Sequence, residues 1–314
     1  MGTKGKKMEI IVVDSVKGGC GKTSISLKCA IEKAQDKLNK VCYMDLDLLG
    51  SSIETFLIGD RFVGKNKKSD PKGYPIDLCV IKSEKYYFND IFKGEHFSPR
   101  FLNEIVIIED NKRKGVFSLI ACNPDQNEKD RFKPSRLMNY IGQIDYEYFG
   151  AMIERVLEQL EDMNFTHVII DMPPNSDAYT DSVFNILLRQ NGSDNTHIET
   201  KYRVKICLVN SFDRAHFSAN LEWLKTMVNE HDMKWVVNAP DLFKIVFNDN
   251  INYNELSVDD AKKYVQDRLQ QLNDDGIKIP CAYIYGYDKK NVFSSTSDRG
   301  VGFDTISKVK VQII

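Results

Sequence analysis

A three-layer α/β fold with a mostly parallel central sheet is predicted by three observations. Short apolar runs rich in β-branched residues recur at 9–14, 41–44, 168–170, 204–209, 245–247 and 280–284. Stretches with helical spacing of apolar residues lie between many of them. Three of the runs are followed directly by Asp45, Asp171 and Asn248, polar residues at the carboxyl ends of strands, where a parallel sheet opens its ligand crevice.

The elements follow in order. Residues 9–14, Glu-Ile-Ile-Val-Val-Asp, have the pattern of a strand buried on both faces. A glycine-rich loop comes next. Over 22–38, Ile25, Leu27, Ala30, Ile31 and Ala34 recur at near-helical spacing, and Asn39 is the expected stop. The strand 41–44 then completes the opening of a parallel βαβ sheet. Residues 59–104 break the pattern with Lys65-Asn66-Lys67-Lys68, then Pro71, Gly73 and Pro75, then an aromatic cluster of Tyr86, Tyr87, Phe88 and Phe92. This stretch reads as an insertion on the sheet. Its rings form either a partner surface, the first expectation, or a small local core. The runs 105–108 and 116–121 flank a charged segment, 110–115, and predict a hairpin.

The parallel pattern resumes with a helix over 146–160, whose Phe149, Met152, Ile153, Val156 and Leu160 share one face. Strands at 168–170 and 204–209, a helix at 214–228 and a strand at 245–247 follow. Ser257 and Asp260 read as a capping box for a helix with Ala261, Tyr264, Val265, Leu269 and Leu272 on its apolar face. The last core strand is 280–284, and the period-two tail 308–314 reads as an edge strand or a tail. The polar loop 191–200 is expected to be mobile. One domain over 1–314, with the insertion at 59–104, fits the length.

Between the first strand and the first helix stands Lys17-Gly18-Gly19-Cys20-Gly21-Lys22-Thr23-Ser24. A phosphate cradle needs backbone N–H groups converging at a helix N-terminus, and glycines let the chain curl round the anion. A lysine adds charge, and a Ser or Thr hydroxyl binds the accompanying Mg²⁺. Gly18, Gly19, Gly21, Lys22 and Thr23 meet these needs. The common pattern G-x-x-x-x-G-K-[ST] fails at Val16, and a second lysine, Lys17, opens the loop instead.

This loop resembles the signature of the ParA/MinD superfamily, the deviant Walker A ATPases with the P-loop NTPase fold. The resemblance implies ATP and Mg²⁺ as cofactors. It implies a Mg-dependent ATPase working as an ATP-driven homodimer switch that positions, partitions or regulates an unknown protein partner. Lys17 would reach the partner subunit's phosphates across an ATP sandwich. Lys22 would bind the β- and γ-phosphates of its own nucleotide, and Thr23 would ligate Mg²⁺. Gly18, Gly19, Cys20, Gly21 and Ser24 would complete the cradle. Asp45-Leu46-Asp47 resembles the D-x-D of switch I, so Asp47 would orient the attacking water and Asp45 would support the metal site. The continuation, Leu48-Leu49-Gly50-Ser51, departs from the Pro-Gln-Gly-Asn of partition members. Asp171, before Met172-Pro173-Pro174, resembles the Walker B aspartate that holds Mg²⁺ through water. Asn248 resembles the asparagine that contacts adenine. The likeness covers residues 8–57, 116–250 and 277–305.

Composition narrows the alternatives. A net charge of -2 and a pI near 6.3 carry no global nucleic-acid signal. A modest basic excess at Lys289, Lys290, Arg299, Lys308 and Lys310 leaves nonspecific DNA open as a partner, although a solvated face also explains it. The seven cysteines contain no C-x-x-C pair, which counts against an Mrp-like iron–sulfur assembly factor. They read as free thiols in a reducing compartment, with Cys20 the candidate for solvent access and redox chemistry. A P-loop kinase remains an alternative. Bacterial tyrosine kinases share the Lys-Gly-Gly loop, but their C-terminal tyrosine cluster is missing from 308–314, and Tyr283, Tyr285 and Tyr287 alternate as strand residues do. No apolar run approaches the ~20 residues of a membrane helix, and the basic start is not a secretory signal. A cytoplasmic protein without membrane insertion is expected.

Overall fold

Apolar runs and amphipathic stretches fold as alternating strands and helices, and the strands gather into one twisted sheet. The computed structural model describes residues 7–47, 76–82, 86–91, 95–109, 112–122, 146–173, 178–188, 201–229, 242–248, 258–277, 279, 281–285 and 309–312. In chain order these hold β1 (Glu9–Asp14), α1 (Lys22–Gln35), β2 (Val41–Asp45), β3 (Ile76–Lys82), α2 (Phe88–Ile91), a 3₁₀ turn (Pro99–Phe101), β4 (Asn103–Glu109) and β5 (Lys112–Ile120). Then come α3 (Tyr146–Asp162), β6 (His167–Asp171), α4 (Ala178–Leu187), β7 (Arg203–Ser211), α5 (Arg214–Asn229), β8 (Phe243–Asn248), α6 (Val258–Asp274), β9 (Cys281–Tyr285) and β10 (Val309–Gln312).

The sheet order is β10-β9-β8-β7-β1-β6-β2-β5-β4-β3. The seven strands from β9 to β5 are mutually parallel, whereas β10 pairs antiparallel with β9 at one edge and β4 pairs antiparallel with both β5 and β3 at the other. The central strands are buried on both faces, so their side chains alternate between two cores. Ile10 and Val12 of β1 join a core with Val168, Ile170, Ile206 and Leu208, covered by α3, α4, α5 and α6. Ile11 and Val13 face the opposite core, with Tyr43, Ile169, Cys207 and Val246, covered by α1. Two helical layers and one sheet layer result, as predicted.

Several expectations are corrected by local physics. The first helix ends at Gln35 and not at Leu38, because Asp36 turns extended (ψ 116°) and its Oδ1 accepts the Leu38 N–H at 3.0 Å. Asn39 does act at the stop, since its side-chain amide donates to the Lys33 carbonyl at 3.0 Å. Of the aromatic cluster, Phe88 is buried as a small local core requires, while Tyr86 and Tyr87 are half-buried. Phe88 and Phe101 have no exposed area and Phe97 has 7%, while Tyr86 packs on Phe101 with ring centroids 5.5 Å apart. Phe88, Phe97 and Phe101 belong to the α3-side core with Leu102 and Cys122, and Tyr86 packs against it, whereas Tyr87 packs against the α1-side core. The hairpin at 105–121 is present as β4 and β5. The antiparallel edge starts within the expected insertion, at β3, and continues past residue 104 through β4. The tail pairs antiparallel with β9 as an edge strand. Phe92, Ser257, Pro280, Lys289, Lys290, Arg299, Lys308, the continuation 48–51 and the loop 191–200 lie outside the described residues.

Candidate functional site

The parallel strands β1, β2, β6 and β8 all end on one edge of the sheet, and the site is assembled there. Val13 of β1 is in register with Asp171 of β6, and Asp171 with Asp45 of β2. The glycine-rich loop leaves β1 at Asp14 and enters α1 at Lys22. Gly19 (φ 80°) and Gly21 (φ 90°) supply left-handed backbone that L side chains resist. A Cβ on Gly21 would overlap Asn248 Nδ2. The α1 N-terminus is uncapped by any side chain and has no acid in its first turn, so its N–H groups and dipole suit an anion.

Three elements pin the loop. Asn248 at the end of β8 donates from Nδ2 to the Cys20 carbonyl at 2.9 Å. Asn220 on α5 accepts the Val16 N–H at 2.9 Å and anchors its own amide on the Val209 carbonyl and Asn210 Oδ1. His216, also on α5, donates from Nε2 to the Gly18 carbonyl at 2.9 Å, with Nδ1 2.7 Å from Ser211 Oγ. Within the loop, Ser15 Oγ donates to the Lys17 carbonyl at 3.1 Å.

The two loop lysines are placed differently. Lys22 is 7% exposed, and its Nζ lies 3.5 Å from the Ser15 carbonyl. Lys17 and the two glycines after it are exposed. Thr23 and Ser24 are half-buried in the first turn of α1. Cys20, the candidate for solvent access, has no exposed area, in line with the reading of the cysteines as free thiols. The loop's turn at Gly19 sends its thiol into the core beneath α1, and burial raises its pKa against the pull of Lys22. Cys29, Cys42, Cys122 and Cys207 are likewise buried free thiols, and burial pushes Cys207 up to about 12. These are packing cysteines.

On the far side, Asp45 is buried and its Oδ1 accepts the Asp47 N–H at 2.9 Å, so Asp45 sets the backbone that carries the half-buried Asp47. Asp171 is buried. Its Oδ2 accepts the Tyr43 hydroxyl at 2.8 Å, while Oδ1 has no hydrogen-bond partner. Burial raises its pKa to about 6, opposed by the Thr23 and Tyr43 hydroxyls and the Lys22 ammonium. A buried carboxylate with an orphaned oxygen beside a Thr hydroxyl and a lysine suits a divalent cation. Asn248 Oδ1 is a second buried acceptor without a partner, and an adenine amino group is a donor that fits it. The residues therefore fit a Mg-nucleotide.

The fold brings all twelve predicted residues to this edge. Sequence reasoning missed Tyr43, Asn220 and His216. The signals were there: a phenol within the buried run Val-Cys-Tyr-Met-Asp, and an Asn in the helical stripe of Phe217, Leu221 and Leu224. Tyr43 and Asn220 are buried polar groups that need partners, whereas half-buried His216 gave no such signal.

A family model described as ParA, the NUBPL iron-transfer P-loop NTPase, matches residues 6–83. No curated protein sequence matches. Among solved structures, the chain is similar to McdA of Cyanothece in complex with ATP, at 13% identity and a TM-score of 0.51, over 90% of this chain and 83% of that one. It is similar to the cell division ATPase MinD of Pyrococcus furiosus, at 14% identity and a TM-score of 0.50, over 95% and 94%. It is also similar to pNOB8 ParA bound to nonspecific DNA, at 13% identity and a TM-score of 0.50, over 86% and 77%. At these identities the likeness is one of fold. Among the described residues no group of three or more His, Cys, Asp or Glu could hold a metal, and no helix is long and apolar enough to cross a membrane.

Proposed function

We propose that this chain, whose residues 6–83 match the ParA family model and whose fold is similar to that of MinD, is a ParA/MinD-type, Mg-dependent ATPase that dimerises on ATP. One observation carries the reading. The loop holds two lysines of opposite exposure, Lys22 folded into the cradle and Lys17 turned out to solvent. Outward exposure is ordinary for a lysine, but on a phosphate loop it leaves Lys17 free of its own cradle and placed for a facing subunit's phosphates.

In this reading Lys22, the loop amides and Ser24 bind the phosphates. Asn248 accepts from adenine. Thr23 and Asp171 would hold Mg²⁺, with Asp45 in support, and a divalent cation bound there would supply charge neutralisation for the β- and γ-phosphates. Asp47 orients the attacking water, held by the N–H bond to Asp45. Lys17 of each subunit stabilises the charge that develops on the other subunit's nucleotide. Turnover is slow without a partner, because a switch must dwell in its ATP state. The chain works as one cytoplasmic domain with an insertion at 59–104, and its partner is a protein. The DNA complex of pNOB8 ParA keeps nonspecific DNA as a second candidate ligand.

The test is molar mass by light scattering with ADP and with ATP plus Mg²⁺, for the parent and Lys17→Ala. The mass is expected to double with ATP in the parent only. A constant monomer that binds ATP would remove the sandwich.

A further inference from the structure

Tyr43 sits in the site without being required by phosphate-loop chemistry. It stands within β2 on the face packed under α1, and it has no exposed surface. An apolar residue would fill that place, and a buried phenol is costly unless its hydroxyl is bonded. This hydroxyl is bonded on both sides. It donates to Asp171 Oδ2 at 2.8 Å, and Ser26 Oγ lies 2.9 Å away. Ser26 sits one turn into α1, where its Oγ is also 3.1 Å from the Thr23 carbonyl.

Counting protons orders this chain. Asp171 as a carboxylate only accepts, so the single Tyr43 proton goes to it. The single Ser26 proton is then shared between the Tyr43 oxygen and the Thr23 carbonyl. Thr23, Ser26, Tyr43 and Asp171 form one line across the sheet edge, tying the first turn of α1 to the end of β6. One carboxylate oxygen is fixed by the phenol and the other is left orphaned beside Thr23 and Lys22.

We propose that Tyr43, backed by Ser26, is a positioning residue that holds Asp171 by Oδ2 so that Oδ1 serves Mg²⁺ and its water. This rests on the reading of Asp171 and Thr23 as the Mg²⁺ residues. The phenol turns the carboxylate and keeps it at a fixed distance from α1. Nucleotide contacts that do not pass through the ion are independent of it.

The full chain is titrated with a fluorescent ATP analogue, in Mg²⁺ and in EDTA, for the parent, Tyr43→Phe, Ser26→Ala and Asp171→Ala. Loss of a residue that orients a metal-holding group lowers metal affinity about 10- to 100-fold. Tyr43→Phe is therefore expected to lose about tenfold or more of the Mg²⁺ enhancement, with affinity in EDTA unchanged. Ser26→Ala moves the same way by less. If the enhancement vanishes in Asp171→Ala but survives in Tyr43→Phe, the positioning role is overturned alone. If the parent shows no enhancement, or Asp171→Ala retains it, the Mg²⁺ site falls and this proposal with it. Should circular dichroism show Tyr43→Phe unfolded, Ser26→Ala decides, and full enhancement in that variant overturns the proposal.

Discussion

Gly21→Ala tests whether the loop geometry makes the site. Gly21 has φ 90° and ψ 25° at the N-cap of α1, and an added methyl would overlap the Asn248 amide. Left-handed backbone costs an L residue about 1–2 kcal/mol. Driving Asn248 off the Cys20 carbonyl removes its 2.9 Å bond. That bond is worth about 1 kcal/mol, and somewhat more when a buried group is left unsatisfied. The sum is about 2–4 kcal/mol, or roughly 30- to 700-fold in an equilibrium constant at 1.4 kcal/mol per decade. Where the loop relaxes in the free protein, the cost appears as weaker nucleotide binding. Where the fold holds the loop rigid, it appears as lost folding stability. Titration with a fluorescent ATP analogue and urea unfolding are measured together. An affinity reduced less than about threefold, with stability reduced by less than about 1 kcal/mol, would refute the reasoning.

Two further predictions concern buried carboxylates. Glu9, at the opposite end of β1, lies 3.1 Å from Lys33, 3.2 Å from Lys205, 3.6 Å from Arg203 and 3.7 Å from His167, and Lys205 is itself buried. Glu9→Gln is expected to cost about 3 kcal/mol by urea unfolding, because removing one partner strands buried charge. A loss under about 1 kcal/mol would count against the network. Burial alone would raise the Glu9 pKa, but Lys33 and Lys205 outweigh it and lower it below 4.5. Its stabilisation is therefore complete above that pH and fades as pH falls through the folded value, narrowing the gap to Glu9→Gln in acid. Asp171 has the opposite sign. Its folded pKa is raised from 3.8 to about 6, so nucleotide-free protein loses stability as pH rises across that window. Asp171→Asn removes a penalty of at most about 3 kcal/mol, and its melting temperature should gain on the parent between pH 4 and pH 8. A variant less stable than the parent at pH 8 would contradict the assignment.

The loop and its carboxylates were legible because their chemistry is local. Glycines, lysine and threonine must be contiguous to wrap a phosphate, so Lys17 to Thr23 declared itself. Asp45, Asp171 and Asn248 were readable because each follows directly on a strand-like apolar run, which fixes it at the crevice edge. The aromatic insertion was less legible, because a row of rings looks alike whether it faces solvent or core. The cover given to Phe88 and Phe101 comes from segments distant in sequence. The burial of Cys20 was hard to read for a related reason. A loop residue is open by default, and the burial of this thiol follows from how the loop, left-handed at Gly19, packs on the α1-side core.

Local residue patterns were enough for the period-two and helical elements, hence for the order of strands and helices along the chain, and for the chemistry of the phosphate loop. Local propensity and spacing suffice for these, because each is set within a few residues. Tertiary structure alone decided what the loop rests on. Asn220, His216 and Asn248 reach Val16, Gly18 and Cys20 across about 200 residues of chain. It also decided that Tyr43 meets Asp171, since β2 and β6 become neighbours only when the sheet forms. Buried polar groups demand partners, but a sequence states only the demand. The partner is fixed by which strands lie side by side, and that is settled by packing of the whole sheet.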